Sequence, residues 1–291
     1  MRPALFRYCR PESLEEALEL KAQYGDEASV LAGGQSLMPM LNMRMARPAV
    51  LIDINRLSVL ADVVEVVDGI RLGAVTRYSR FESDAKLSPK APLLAMAMPL
   101  VAHAGVRNRG TLGGSLALAD PAAESPACCI CLEAGVILKS RARGSRKVPA
   151  QEFVQGTYIT AIEPDEILEA IELPKPQPGQ RYAIREVSVR HGDFALAGLC
   201  ATATLSNDKL QNLRLVFFGL ADRPIVASKA ADILSMSGGK DREAKSEAAA
   251  ALTEDIAFVA SSELSAKSRQ HIATTLLERI FDDLRGVSAH G

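Results

Sequence analysis

Ala32-Gly33-Gly34-Gln35-Ser36 is answered further along the chain by Thr111-Leu112-Gly113-Gly114-Ser115. A backbone amide approaches an anion closely only where no Cβ intrudes, and neighbouring amides converge on one oxygen only where positive φ is open to them. Either segment alone could be a glycine turn at a strand end. Together, each flanked by an apolar run, they fit two halves of a cradle for a ligand with two phosphates. Ser36, Thr111 and Ser115 add uncharged hydroxyl donors.

The elements around the loops follow from periodicity. Ser13-Leu14-Glu15-Glu16 is a capping box opening a helix to about Tyr24, with Leu14, Ala17, Leu18 and Ala22 in helical spacing and Gly25 ending it. Ala28 to Leu31 is a short buried strand feeding the first loop. Leu37 to Met45 and then the strand Val50 to Ile54 complete a small β-α-β unit. Val63 to Val67 and Ile70 to Ala74, around Asp68-Gly69, form a hairpin. A helix is predicted from about Pro92 to Ala104 and another from Pro121 to Leu132, followed by strands at 135–140 and 166–173. Pro174 to Gln180, with three prolines and a glycine, is a linker. Beyond it, 182–189, 194–205 and 213–220 are three antiparallel strands. Helices follow from Ile225 to Arg285, with a turn at Ser237-Gly238-Gly239. The class is therefore α+β, with a first domain over 1–176 (a small part to about 56 and a larger part from about 57) and a second over 177–291.

The chain has 291 residues, 48% of them hydrophobic and 24% charged, as expected of a globular protein. Basic and acidic residues balance at 34 against 35, which provides no positive field for nucleic acid. No stretch approaches the ~18 apolar residues of a membrane span, and the start does not read as a signal peptide, so a cytoplasmic location is expected. Five cysteines, an odd number, argue against a disulfide framework. Cys128 and Cys131 have C-x-x-C spacing, but without a second pair or a neighbouring histidine they read as buried core thiols, beside Cys129. Four thiolates spaced for an iron–sulfur cluster are lacking.

Several chemistries are excluded by spacing. There is no G-x-G-x-x-G, no G-x-S-x-G and no H-E-x-x-H, and Gly239-Lys240 lacks the upstream glycine of a P-loop. His103, His191, His271 and His290 are too few and too scattered for an imidazole-rich metal site. No paired carboxylates or activated nucleophile stand out. What survives is a phosphate-bearing ligand held by amides and hydroxyls.

Leu31-Ala-Gly-Gly-Gln-Ser-Leu37, Ile52-Asp53, Arg107-Asn-Arg-Gly-Thr-Leu-Gly-Gly-Ser-Leu-Ala-Leu-Ala-Asp-Pro-Ala-Ala-Glu124 and Arg190-His-Gly-Asp-Phe-Ala195 occur in this order. In that order they resemble the FAD-binding medium subunit of the molybdenum hydroxylases, the family of xanthine and carbon monoxide dehydrogenases. The similarity spans essentially the whole chain. It implies a two-part FAD-binding domain of the vanillyl-alcohol-oxidase type, followed by an antiparallel sheet covered by helices.

Carried over by position, the resemblance implies that the backbone of Val30, Leu31, Ala32, Gly33, Gly34, Gln35, Ser36 and Leu37 wraps the FAD diphosphate. Thr111, Gly113, Gly114 and Ser115 would close the other side. Glu124 would accept sugar hydroxyls or lie near the adenine, Val101 and Ala102 would pack against the cofactor, and the backbone at Leu168 would reach the flavin. Arg185 matches a basic position near the flavin ring, and Phe194 an aromatic that screens it. No catalytic residue and no metal ligand is expected. Met38, Met40, Met43 and Met45 read as core filling or, alternatively, as apolar surface meeting an iron–sulfur partner.

The implied function is electron relay. Substrate is hydroxylated at a molybdopterin centre in a large subunit, electrons pass through two-iron iron–sulfur clusters in a small subunit, and FAD in this chain delivers them to an external acceptor. A dimer of heterotrimers is the implied assembly. The alternatives are a self-contained flavin oxidase or reductase on the same scaffold, and a ligand-binding module without redox use.

Overall fold

A computed structural model describes residues 2–207, 209–237 and 242–286. The turn expected at Ser237-Gly238-Gly239 falls at the edge of this set, Gly238 and Gly239 lying outside the described residues, as does His290.

The first sheet is parallel, in the order β1-β3-β2, with β1 at Arg7–Cys9, β2 at Ala28–Leu31 and β3 at Val50–Asp53. Between β1 and β2 runs α1 (Leu14–Tyr24), capped by Ser13 Oγ, which accepts from the Glu16 amide at 3.1 Å. Glu16 reaches back to the Glu12 amide, one residue before the cap. The buried stripe of α1 is Leu14, Ala17, Leu18 and Lys21, while Ala22 is exposed. Lys21 occupies a core-facing position because its Nζ donates to Gly25 O (2.7 Å) and Ala28 O (3.1 Å), capping the helix end. The short α2 (Leu37–Asn42) links β2 to β3.

The second sheet is antiparallel, in the order β4-β5-β10-β6-β7. Its strands are β4 (Val63–Val66), β5 (Gly69–Gly73), β6 (Gly135–Ser140), β7 (Gly144–Pro149) and β10 (Glu166–Pro174), with the small pair β8 (Val154–Gly156) and β9 (Ile159–Thr160) alongside. The β4–β5 register pairs Val66 with Gly69, so Val67 and Asp68 form the turn, one residue earlier than the dipeptide suggested. The helices here are α3 (Tyr78–Ser83), α4 (Pro92–Ala97), α5 (Ala104–Arg107), α6 (Leu112–Leu118), α7 (Glu124–Cys131) and α8 (Ala150–Phe153). The single helix expected over 92–104 is thus two. Pro99 cannot continue α4, and Ala102 takes positive φ (42°) before α5 begins.

The third sheet, order β11-β12-β13-β14, comprises β11 (Gln180–Ser188), β12 (Ala195–Ser206), β13 (Lys209–Phe218) and β14 (Ile225–Val226). The helices α9 (Ser228–Ser237), α10 (Arg242–Asp255) and α11 (Ala266–Arg285) follow it. Strand alternation divides its side chains. Ala183, Leu199, Ala201, Leu215 and Phe217 pack with the three helices. Tyr182, Ile184, Cys200, Val216 and Phe218 join the core containing α4, α6, α7 and β10. The third sheet is therefore the shared wall of two hydrophobic layers.

Candidate functional site

A cavity of about 560 Å³ opens where the end of β2, the start of α6, the start of α7, strand β10 and the loop 190–194 meet. Both glycine segments line it. They touch: a Cβ at Gly33 would overlap the Arg109 carbonyl oxygen, and one at Gly114 would come 3.6 Å from that of Ala32. Gly34 has φ +73°, a left-handed conformation that suits glycine.

The two segments differ in what they offer. In the first, the amides of Gly33, Gly34, Gln35 and Ser36 donate to no protein group among the described residues. In the second, the amides are already used. Leu112 N donates to Thr76 O, Gly113 N to Ala74 O and Ser115 N to Thr111 O. Gly114 N donates to Thr111 Oγ1 at 3.1 Å, so Thr111 is the N-cap of α6 and is buried. The second segment is thus the first turn of a helix, and the one hydroxyl it brings to the cavity, that of Ser115, is hydrogen-bonded to the Tyr78 phenol. Gly113 is needed for packing, since a Cβ there would sit 2.7 Å from that of Ala74.

Of the positions named from sequence, Val30, Ala32, Gly33, Gly34, Gln35, Ser36, Leu37, Val101, Ala102, Thr111, Gly113, Gly114, Ser115, Glu124, Leu168 and Phe194 line the cavity. Leu31 does not line the cavity; its carbonyl accepts from Ile54 N at 3.0 Å. Gln35 turns its side-chain amide onto Gly33 O (3.2 Å). Phe194 is 69% exposed and stands at the rim. Leu168 sits at the register shift in β10.

Arg185 is not in the cavity. It shares the helix-facing side of β11 with Ala183 and forks onto Asp283 of α11, Nη2 to Oδ1 at 2.7 Å. Its charge is neutralised there, and a period of two explains the displacement. The neighbour one position on, Glu186, takes the opposite face.

Glu124, named from the sequence, has an acidic neighbour in Glu186 that the sequence did not disclose. Glu124, 8% exposed at the start of α7, has its carboxyl pushed up to about 7 by burial and then by the charge of Asp120. Burial, and then the charge of Glu124, push Glu186 up to about 8, and its buried Oε2 has no hydrogen-bond partner. Lys21, Tyr78, Asp120 and Glu166 also line the cavity. A signal for Lys21 existed in its place on the apolar stripe of α1. Nothing in the sequence marked Tyr78 or Glu166, whose carboxylate is held by Arg146 at 2.7 and 2.8 Å.

Among the described residues no group of His, Cys, Asp and Glu could hold a metal ion, and no helix is long and apolar enough to cross a membrane. Cys128, Cys129, Cys131 and Cys200 are buried free thiols. Met38, Met43 and Met45 are 38%, 51% and 68% exposed, so these methionines do not fill the core.

A cavity edged by unpaired glycine amides, in an α+β chain of this topology, defines a nucleotide-binding protein. Residues 4–176 match the family model described as FAD binding domain in molybdopterin dehydrogenase, and 182–284 match the CO dehydrogenase flavoprotein C-terminal domain. The chain belongs to this family of FAD-carrying medium subunits of molybdenum hydroxylases. It is 37% identical to the 6-hydroxypseudooxynicotine dehydrogenase complex subunit alpha of Paenarthrobacter nicotinovorans, over 96% of this chain and 94% of that one. It is 40% identical to the caffeine dehydrogenase subunit beta of Pseudomonas sp. strain CBB1, over 77% and 76%. The structure of carbon monoxide dehydrogenase from Hydrogenophaga pseudoflava superposes with a TM-score of 0.93 at 33% identity, covering 99% of this chain and 100% of that one.

Proposed function

We propose that this chain holds one FAD in the cavity and relays electrons from the iron–sulfur clusters of a small partner subunit to an external acceptor. The clusters would in turn be reduced by a molybdopterin centre in a large subunit. The observation that carries this is the set of unpaired amides from Gly33 to Ser36 on the cavity wall, a donor set that suits a diphosphate and has no other partner. Bound FAD would supply the electron-accepting group.

The chain's residues divide the holding of that group. The Gly33–Ser36 amides and the Ser115 hydroxyl bind the diphosphate, while Gly113 and Gly114 keep the second wall thin. Glu124, near neutrality in its proton affinity, holds a hydroxyl of the nucleotide. Val101, Ala102 and Leu168 exclude water from the rings, and Phe194 at the rim limits acceptor access. Residues 1–176 act as the nucleotide-binding domain and 177–291 as its cover. The exposed methionines around α2 provide an apolar, adaptable surface for the iron–sulfur subunit. A dimer of heterotrimers in the cytoplasm completes this reading, the cytoplasm being supported by the unpaired cysteines.

The test is purification of the chain with its neighbouring subunits. One FAD per chain, released by denaturation and bleached when substrate is added to the complex, is the expected result. The isolated chain should carry FAD yet not reduce it with small organic substrates. Reduction without partners would transfer the chain to the self-contained oxidases, and a protein that ignores FAD altogether would end the proposal.

A further inference from the structure

The peptide unit is planar and trans, so a carbonyl fixed on one side aims the following amide to the other. In the first glycine segment the carbonyls are held in succession. Leu31 O accepts from Ile54 N (3.0 Å) and from Asn55 Nδ2 (3.3 Å). Ala32 O accepts from Asn55 Nδ2 at 2.5 Å. Gly33 O accepts from Gln35 Nε2 and Gly34 O from Met38 N (3.1 Å). Asn55 is itself fixed: its Nδ2 donates to Asp53 Oδ1 (2.7 Å), its backbone amide donates to the same oxygen (2.9 Å), and its Oδ1 accepts from Arg77 Nη2 (2.6 Å). Arg77 Nη1 donates to Arg109 O, the carbonyl on which Gly33 packs. Tyr8 OH closes the network from β1 by donating to Asp53 Oδ2.

We propose that Asn55 and Arg77 are positioning residues for the diphosphate: they hold the carbonyls of Leu31, Ala32 and Arg109 away from the cavity, so that the glycine amides face it as donors. This rests on the FAD reading of the cavity. Without the pair, the Ala32–Gly33 peptide, followed by glycines that accept either sign of φ, is free to turn. A turned peptide presents an oxygen, an acceptor, to an anion. Arg77 also joins the two walls, because Asn55 belongs to the first segment's support and Arg109 lies two residues before the second. Its guanidinium is half-buried beside Arg109, leaving fixed positive charge behind the loop; burial, then Arg109, lowers its proton affinity, yet a guanidinium stays charged. Neither residue lines the cavity, so the effect on ligand passes through the backbone.

The experiment uses the full chain, stripped of nucleotide and titrated with FAD and separately with ADP, together with the variants Asn55→Leu and Arg77→Met. Expected in both variants is a fall in affinity of about 10- to 100-fold, equal for FAD and ADP because both carry the diphosphate. At saturating FAD, the two phosphorus resonances of the bound nucleotide should move toward their free-solution positions, which a merely structural role would not cause. The melting midpoint of the nucleotide-free chain should drop by no more than about 4 °C. Wild-type affinity with unchanged phosphorus resonances in Asn55→Leu overturns the proposal and leaves FAD binding standing. So does loss of affinity accompanied by a large drop in the nucleotide-free melting midpoint of both variants. A wild-type chain that takes up neither ligand removes the FAD reading, and this proposal with it.

Discussion

The Sγ atoms of Cys128 on α7 and Cys200 on β12 lie 3.6 Å apart in the core that joins the first 176 residues to the third sheet. Both are free, and Cys129 and Cys131 are buried beside them. Burial pushes the thiols of Cys129, Cys131 and Cys200 far up, which withholds the reactive thiolate. In the isolated native chain, Cys9 should therefore react with an aromatic disulfide reagent at least tenfold faster than the other four. Those four should appear only with denaturant. Mass mapping of early-labelled protein that finds Cys128 or Cys200 modified would refute the closed-core description.

The buried carboxyls predict a pH dependence. Glu124 and Glu186 are raised in the folded chain to about 7 and about 8, so the folded state binds more protons than the unfolded one above the ordinary glutamate range. The stability that these two groups contribute is then fully present below about pH 4.5 and is lost as pH rises through 7 to 8. The nucleotide-free chain should melt lower at pH 8.5 than at pH 5.5. Glu124→Gln should flatten that trend, recovering about 2–3 kcal/mol at the alkaline end. Identical profiles for wild type and variant, followed by calorimetry, would show that Glu124 is solvated.

Gly33 and Gly34 separate two physical effects. An added Cβ at Gly33 meets backbone, the Arg109 carbonyl, which cannot step aside without parting the two segments. At Gly34 the obstacle is positive φ, which costs an alanine about 1–2 kcal/mol, with Leu31 and Met38 side chains at 3.2 Å able to adjust. Gly33→Ala should weaken FAD by at least about tenfold and more than Gly34→Ala does. Fluorescence titration decides the order; a reversed ranking would mean the segments are not in contact.

Arg185→Met tests the division of β11 into two faces. The lost fork to Asp283, on partly exposed side chains, should cost about 1 kcal/mol of stability. The flavin potential should stay within about 10 mV of wild type, less than half the ~30 mV that a tenfold change in a two-electron equilibrium requires. A clear lowering of potential in a redox titration would put the guanidinium near the ring after all.

Much of this was legible because the physics is local. The Ser13 cap and the three antiparallel strands β11 to β13 are set by near neighbours along the chain, and both appear, whereas the second glycine pair proves to be the first turn of α6 with its amides already used. The losses lie where a distant contact decides. Lys21 is polar yet occupies the buried stripe, since carbonyls at a helix end receive its ammonium. Arg185 depended on a phase of one residue, which only the helices behind the sheet could fix. The division at Pro99 was visible in the sequence, but the apolar run on either side masked it. Asn55, with no motif of its own, acquires its role from Arg77 and Ala32, far from it in the chain.

The wall formed by β12 and β13 has one further consequence. Val216 and Phe218 on one face, and Leu215 and Phe217 on the other, are all essentially inaccessible to solvent. Cutting the gene at the join between the two family matches would strip a greasy flank from each product, leaving α7 and its thiols wet in one and the strand backs wet in the other. Neither fragment should remain dispersed when expressed alone, although co-expression could let them find each other. For anyone grafting this flavin carrier onto a different dehydrogenase, the exchangeable part is the whole chain.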